Sequence, residues 1–308
     1  MKRIHAAGAV ALAMLAACTA AGSQVATPAR PDPLLEPIAP HYARQWLGPQ
    51  EPVRVYGNTW LVGFEGLTIG LIKTSDGLIL IDGAVPQAVR DIEANLAKIG
   101  FSIQDVKYIL STEPHWDHSG GIAALARDSG AEVIAGREAV QSLLQGRSTD
   151  DDPQHGELAS MPAIAGVRGV RDGEILTLGE VTVTARATPG HTPGSMSWTW
   201  RSCEGGLCKD VVFAASLNPI SSDGYRYSAH PALSEGFRRT FATVRALPCD
   251  ILFSSHPSAS GQDARHAAFA RSEQPNPFID REACRDYADG DERKFDERLG
   301  KERAGTVD

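Results

Sequence analysis

Three loops place histidines directly after apolar, strand-like runs, and this arrangement limits the fold more than any other feature of the chain. Val106–Leu110 runs into Ser-Thr-Glu-Pro-His-Trp-Asp-His-Ser-Gly-Gly, residues 111–121. Val181–Ala187 runs into Thr-Pro-Gly-His-Thr-Pro-Gly-Ser, residues 188–195. Ile251–Ser254 runs into Ser-His-Pro, residues 255–257. Short β-branched and aromatic runs bounded by Gly, Pro or Asp read as strands. Each loop therefore leaves the C-terminal end of a strand. Coincidence is a poor account of three such loops.

Other runs fill in the architecture. In the first half, Val53–Val55, 59–64, 67–72 and Leu78–Ile81 read as strands, with a turn signal at Asp76-Gly77. Pro86 opens a helix that Gly100 closes, with Val89, Ile92, Leu96 and Ile99 at helical spacing. A helix over 121–127, a strand over 132–135 and a helix to about 144 follow. Residues 145–160 read as a long polar loop. The second half gives strands at 174–178, 181–187, 196–200, 211–214 and 251–254, a helix at 231–247, and a charged terminal helix over 279–303. Runs of strands followed by helices suit an α+β fold in which two mixed sheets pack face to face with helices outside.

The chain has 308 residues, 22% of them charged and 6% aromatic, with a net charge of -8. This is a globular composition with enough apolar content for a core. An acidic balance without a basic stripe excludes nucleic acid as the expected partner. Lys2 and Arg3 precede an apolar segment, 6–17, that is too short to span a bilayer. It ends in Leu15-Ala16-Ala17-Cys18, which resembles a bacterial lipobox. Residues 1–17 are thus expected to be a signal peptide, and residues 18–44 a tether lipidated at Cys18. Residues 45–308 then form the functional domain. A periplasmic location with an outer-membrane anchor is expected; the alternative is an ordinary signal peptide with Cys18 incidental. Four further cysteines, Cys203, Cys208, Cys249 and Cys284, suit an oxidising compartment. They allow three pairings; in one of them Cys203 and Cys208 close a tight hairpin loop and leave Cys249 with Cys284.

The residue types in the three loops are metal donors. Zinc is held by Cys, His, Asp or Glu, usually four at a time. The alternation of Glu113, His115 and Asp117, with His118 adjacent, can send Glu113 and His115 to one ion and Asp117 and His118 to a second. Pro114 forces Glu113 into extended backbone, as befits the last residue of a strand. His191 and His256 arrive from the other two loops.

The stretches STEPHWDHSGG, PGHTPGS and SSHP, in that order, resemble the metallo-β-lactamase superfamily over about residues 45–275. The resemblance implies a four-layer αββα sandwich with a zinc cleft at the edge of the sheets. It places Glu113, His115 and His191 around a first zinc and Asp117, His118 and His256 around a second. Glu113 stands where a histidine is usual. Many hydrolases of the superfamily carry a bridging aspartate after the strand that follows PGHTPGS. Here Ser216 occupies that place, which looks like subclass B3 of the β-lactamases, as do the cysteine loop and the downstream cysteine pair. The implied reaction is hydrolysis of the β-lactam amide of penicillins, cephalosporins and carbapenems by a metal-bound hydroxide, with antibiotic resistance as the outcome. Asp117 is implied as the catalytic residue that orients the nucleophile. Ser216 and Asn218 position water or the substrate carboxylate, or are plain loop. Trp116 lines the cleft wall or is packed, and Gln154 lies on the rim. A monomer acting on a small molecule is expected. The competing readings are a lactonase or thioesterase-like hydrolase, and a non-catalytic zinc-binding lipoprotein.

Overall fold

Alternate side chains of single strands belong to different cores, and this alternation stacks the molecule into layers. The structure, a computed structural model, describes residues 31–306. Strands β1 (Val53–Tyr56), β2 (Thr59–Leu61), β3 (Gly70–Thr74), β4 (Gly77–Ile81), β5 (Val106–Leu110), β6 (Glu132–Gly136) and β7 (Arg168–Val170) form one sheet in sequence order. Its pairs are antiparallel from β1 to β4 and parallel from β4 to β7. Strands β8 (Ile175–Leu178), β9 (Val181–Ala187), β10 (Met196–Glu204), β11 (Leu207–Ala214) and β12 (Ile251–Ser254) form the second sheet, in the order β12-β11-β10-β9-β8. Only its β11–β12 pair is parallel.

In β4, Ile79 and Ile81 face the second sheet and pack with Trp198, Val211 and Phe213. Leu78 and Leu80 point the other way, onto Val89, Ile92 and Leu96 of a helix. In β11, Val211 and Phe213 face inward, whereas Val212 packs with Phe237, Phe241 and Phe295 of outer helices. The layers are therefore helix, sheet, sheet, helix, the expected αββα sandwich. The helices are α1 (Pro40–Ala43), α2 (Val89–Lys98), α3 (Trp116–Ser119), α4 (Ile122–Ser129), α5 (Val140–Gln145), α6 (Pro231–Ala246), α7 (Gln262–Ala270) and α8 (Ala283–Ala304). Cys203 is bonded to Cys208 across the β10–β11 hairpin, and Cys249 to Cys284 at the start of α8.

Several boundaries differ from the sequence reading. The expected signal peptide, Cys18 and the first half of the expected tether, 18–30, lie outside the described residues. The last part of the expected tether is folded: α1 and two flanking turns occupy Pro33–Trp46, and Leu34, Leu35 and Ile38 pack on the core. Glu113 does not end a strand; β5 stops at Leu110, three residues earlier. Besides α1, three elements, α3, β7 and α7, were not expected.

Every functional loop leaves the same edge. The turn after β4, the 111–121 segment after β5, the β9–β10 loop, the residues after β11 and those after β12 all emerge there. Gly190 in the β9–β10 loop has φ +148°, and a Cβ at this position would lie 1.7 Å from Cδ2 of Phe237 on α6. Only glycine lets this loop press against α6 while carrying His191 into the cleft.

Candidate metal centre

The 111–121 segment is held from below before it presents any donor. Asp82, fully buried after β4, accepts hydrogen bonds from the Thr112 amide (2.8 Å) and the Thr112 hydroxyl (2.7 Å). Burial pushes the Asp82 carboxyl up to about 7, against the pull of His118 and of these two donors. Ser119 donates to the Glu113 carbonyl at 2.8 Å and fixes the curl of the loop. His115 then starts α3, a single turn that sends Asp117 and His118 inward.

Six donors converge on the cleft. Glu113, His115 and His191 each place one donor atom within 4.8 Å of the others, as do Asp117, His118 and His256. The two groups touch: Glu113 Oε1 lies 3.1 Å from His118 Nε2 and 3.6 Å from His191 Nε2. Asp117 Oδ2 lies 3.3 Å from Nε2 of both His118 and His256. These are the same six residues, in the same two groups, that the three loops of the sequence suggest.

The rings are oriented by their far nitrogens. His191 Nδ1 meets the Asn218 carbonyl at 3.0 Å, and His256 Nδ1 meets the Gly66 carbonyl at 3.1 Å. These contacts fix the tautomer and leave Nε2 of both rings facing the cleft. His115 is turned over: its Nε2 meets Asp152 Oδ2 at 3.0 Å, which leaves Nδ1 as its donor. Asp152 is itself buried and accepts from the Gln154 amide at 2.8 Å. Sequence reasoning missed Asp152, treating its surroundings as a loop. The spacing of one carboxylate within a polar stretch gave no signal that it would fold under the metal group.

The electrostatics fit a divalent cation. Burial drives Glu113 upward, but His118, His191, His115 and the Ser216 amide overcome it and bring the carboxyl down to about 2. Burial drives His118 downward, while Asp117, Glu113 and Asp82 lift it to about 10. Two buried carboxylates thus hold cationic partners in a water-poor site. A metal ion satisfies the same carboxylates and takes the place of the protons. The donor set of imidazole nitrogen and carboxylate oxygen suits a divalent first-row ion.

The remaining expected residues divide. Trp116 is buried against the core and also lines the cleft, with its ring 5.7 Å from that of Trp46. Gln154 reaches the cleft, its Nε2 3.4 Å from His191 Nε2. Asn218 lines the floor, and its side-chain Oδ1 is buried without a hydrogen-bond partner. Ser216 lies in the cleft, but its amide and hydroxyl both donate to the Glu113 carboxylate. The cleft holds about 610 Å³. Tyr42, from the segment read as tether, and Trp46, just beyond it, form part of its wall.

The profile of the metallo-beta-lactamase superfamily matches residues 62–256, which include all six donors. Among solved structures, the chain is similar to a B3 metallo-beta-lactamase described as the first with an active-site glutamic acid. The two are 46% identical with a TM-score of 0.80, over 88% of this chain and 98% of that one. Other B3 enzymes are among its solved neighbours, including BJP-1 of Bradyrhizobium japonicum, at 35% identity and TM-score 0.77 over 85% of this chain and 98% of that one. Among curated proteins it resembles a hydroxyacylglutathione hydrolase of Rhodopseudomonas palustris (strain BisB18), 26% identical over 67% of each chain. YobT of Bacillus subtilis (strain 168) is 32% identical, but the match spans only 54% of that protein. Fold, donor set and profile agree, and the chain belongs to the metallo-beta-lactamase superfamily, with subclass B3 enzymes as its solved neighbours.

Proposed function

We propose that this protein is a two-zinc β-lactamase that hydrolyses the amide bond of penicillins, cephalosporins and carbapenems. The observation that carries the reading is the pairing of two three-residue donor groups through Glu113 Oε1 in a single cleft. The 46% identity to a B3 enzyme with an active-site glutamic acid supports it. Glu113, His115 and His191 would hold one ion, and Asp117, His118 and His256 the other. Zinc in such a site lowers the pKa of a bound water towards about 7 and polarises a carbonyl.

The chain's own residues supply the rest. Asp117 directs Oδ2 at His118 and His256, so its second oxygen is the acceptor that orients the attacking water. The side-chain NH2 groups of Gln154 and Asn218, both on the cleft lining, can donate hydrogen bonds to polar groups of the substrate. Trp46, Trp116 and Tyr42 cover its apolar side. Among the described residues lining the cleft there is no lysine or arginine. An anionic substrate therefore depends on the metal ions and these neutral donors.

The test is turnover of a carbapenem by a soluble form starting at Thr19, with zinc and then with a chelator. Chelator-sensitive turnover is expected. A folded, zinc-loaded protein that leaves carbapenems, penicillins and cephalosporins intact would overturn the reading. The hydroxyacylglutathione hydrolase relative makes a thioester the control substrate. Antibiotic resistance follows if expression raises the inhibitory concentration of a β-lactam and Asp117→Ala abolishes the rise. We also infer export and outer-membrane anchoring through Cys18, from the charged start, short apolar segment and Leu-Ala-Ala-Cys sequence. Cys18→Ser should release the protein into the soluble periplasmic fraction, and unchanged membrane association would rule the anchor out.

A further inference from the structure

Ser216 makes two hydrogen bonds to one carboxylate. Its amide donates to Glu113 Oε2 at 2.9 Å, and its hydroxyl donates to Glu113 Oε1 at 2.9 Å. Glu113 is fully buried and Ser216 is 4% exposed, so neither bond competes with bulk water. Oε2 is thereby turned to the backbone, and Oε1 is left facing His118 and His191. We propose that Ser216 is the positioning residue for Glu113, and that the pair acts as one unit which lets a glutamate serve as first-site ligand in place of a histidine.

The physics gives this unit two tasks. An imidazole is a rigid ring that presents one lone pair in one direction. A glutamate side chain has an additional rotatable bond and two equivalent oxygens. Tying Oε2 to a backbone amide and Oε1 to a hydroxyl removes both freedoms. The second task concerns charge. A carboxylate puts a full negative charge beside the ion, which blunts the ion's pull on a substrate carbonyl or water. Two donated hydrogen bonds draw part of that charge away from the ion. Ser216 thus moves Glu113 towards the behaviour of a neutral ligand.

The serine is itself held in place. The Leu217 amide donates to the Tyr287 hydroxyl at 3.1 Å, and Tyr287, on α8, is buried. With its hydroxyl engaged by Glu113, Ser216 is not the group that meets the substrate. Asn218, on the cleft lining, is the neighbouring polar side chain left to meet it.

The inference rests on the two-zinc reading, and the experiment separates the two. Zinc content and zinc affinity by chelator competition are measured for the wild type, Ser216→Ala, Glu113→His and the double variant. Ser216→Ala is expected to weaken one of two zinc ions by about 10- to 100-fold, the usual cost of losing a partner that orients a ligand. In the Glu113→His background the same change should leave zinc affinity unaltered. Ser216→Thr, which keeps the hydroxyl, should restore wild-type affinity. Retention of the other ion is the internal control for folding. Equal losses in both backgrounds, or no loss in the wild-type background, would overturn the proposal. If neither the wild type nor Glu113→His takes up two ions, the two-zinc reading itself fails and the inference falls with it.

Discussion

At the scale of single residues, the centre is defined by what stands behind each donor. His191 and His256 lean on carbonyls, His115 on Asp152, and Glu113 on Ser216. The donors were legible in the sequence because metal chemistry admits few residue types and all six fall in or beside stretches rich in Gly or Pro. Their supports were not legible, since a carbonyl carries no sequence signal, Asp152 looks like an ordinary loop residue, and Ser216 was expected to meet water or substrate rather than Glu113. Two predictions belong here. Asp117→Ala or His256→Ala should lower turnover by about 1,000-fold, because several kcal/mol of transition-state stabilisation depend on the second ion. The circular dichroism spectrum should not change; wild-type turnover in both variants would refute the assigned site. Asp152→Asn should weaken zinc binding by about 10- to 100-fold by loosening His115. Chelator competition reads this directly, and unaltered affinity would mean that the His115–Asp152 contact does not govern the ligand.

At the scale of elements, agreement with the sequence follows the strength of the burial pattern. Strands β5, β9 and β12 match their expected limits because each is an apolar or alternating run with sharp ends. β7 escaped notice because only Val170 of its three residues is buried. α7 escaped because its one buried residue is the polar Gln262, so it has no apolar face to recognise. Glu113 fell outside β5 because the chain leaves the sheet at Ser111 and is carried on by Asp82 and Ser119 instead of a ladder. Cysteine pairing was open to three solutions in the sequence and is settled by the β10–β11 hairpin. The Cys249–Cys284 bond fixes the start of α8, the helix whose Tyr287 holds the loop of Ser216. It joins residues separated by 35 positions, so the chain-entropy effect is about 3–4 kcal/mol. Replacing both cysteines with serine should lower the unfolding free energy by roughly that amount in a urea titration. A loss below about 1 kcal/mol would show that α8 is held by packing alone.

At the scale of the whole molecule, the two sheets bring their loops to one edge, and the metal ions then couple loops that are far apart in sequence. Ions bound only by the folded form stabilise it by about 4 kcal/mol when free zinc is 1,000 times its dissociation constant. Chelation should therefore lower the melting temperature by roughly 10 °C for a domain of this size, and readdition of zinc should restore it. The αββα sandwich was legible from the order of strand and helix patterns. The N-terminal segment was not, because 32–46 is short, rich in proline and without period. Yet it closes the cleft. Asp32 pairs with Arg127 at 2.7 Å, and Gln87 exchanges two hydrogen bonds with the backbone of Ile38. Trp46 then lies 5.2 Å from the His256 ring, and its carbonyl accepts from the Gly66 amide at 3.1 Å. The Gly66 carbonyl in turn orients His256. Segment, turn and ligand form one mechanical chain, so Trp46→Ala should act on binding and on the second ion together. The expected result is a rise in KM of about tenfold, from lost aromatic cover worth about 1.5 kcal/mol, with faster zinc loss to a chelator. A raised KM with unaltered zinc release would make Trp46 a wall for the substrate only, and no change in either would remove the N-terminal segment from the working cleft.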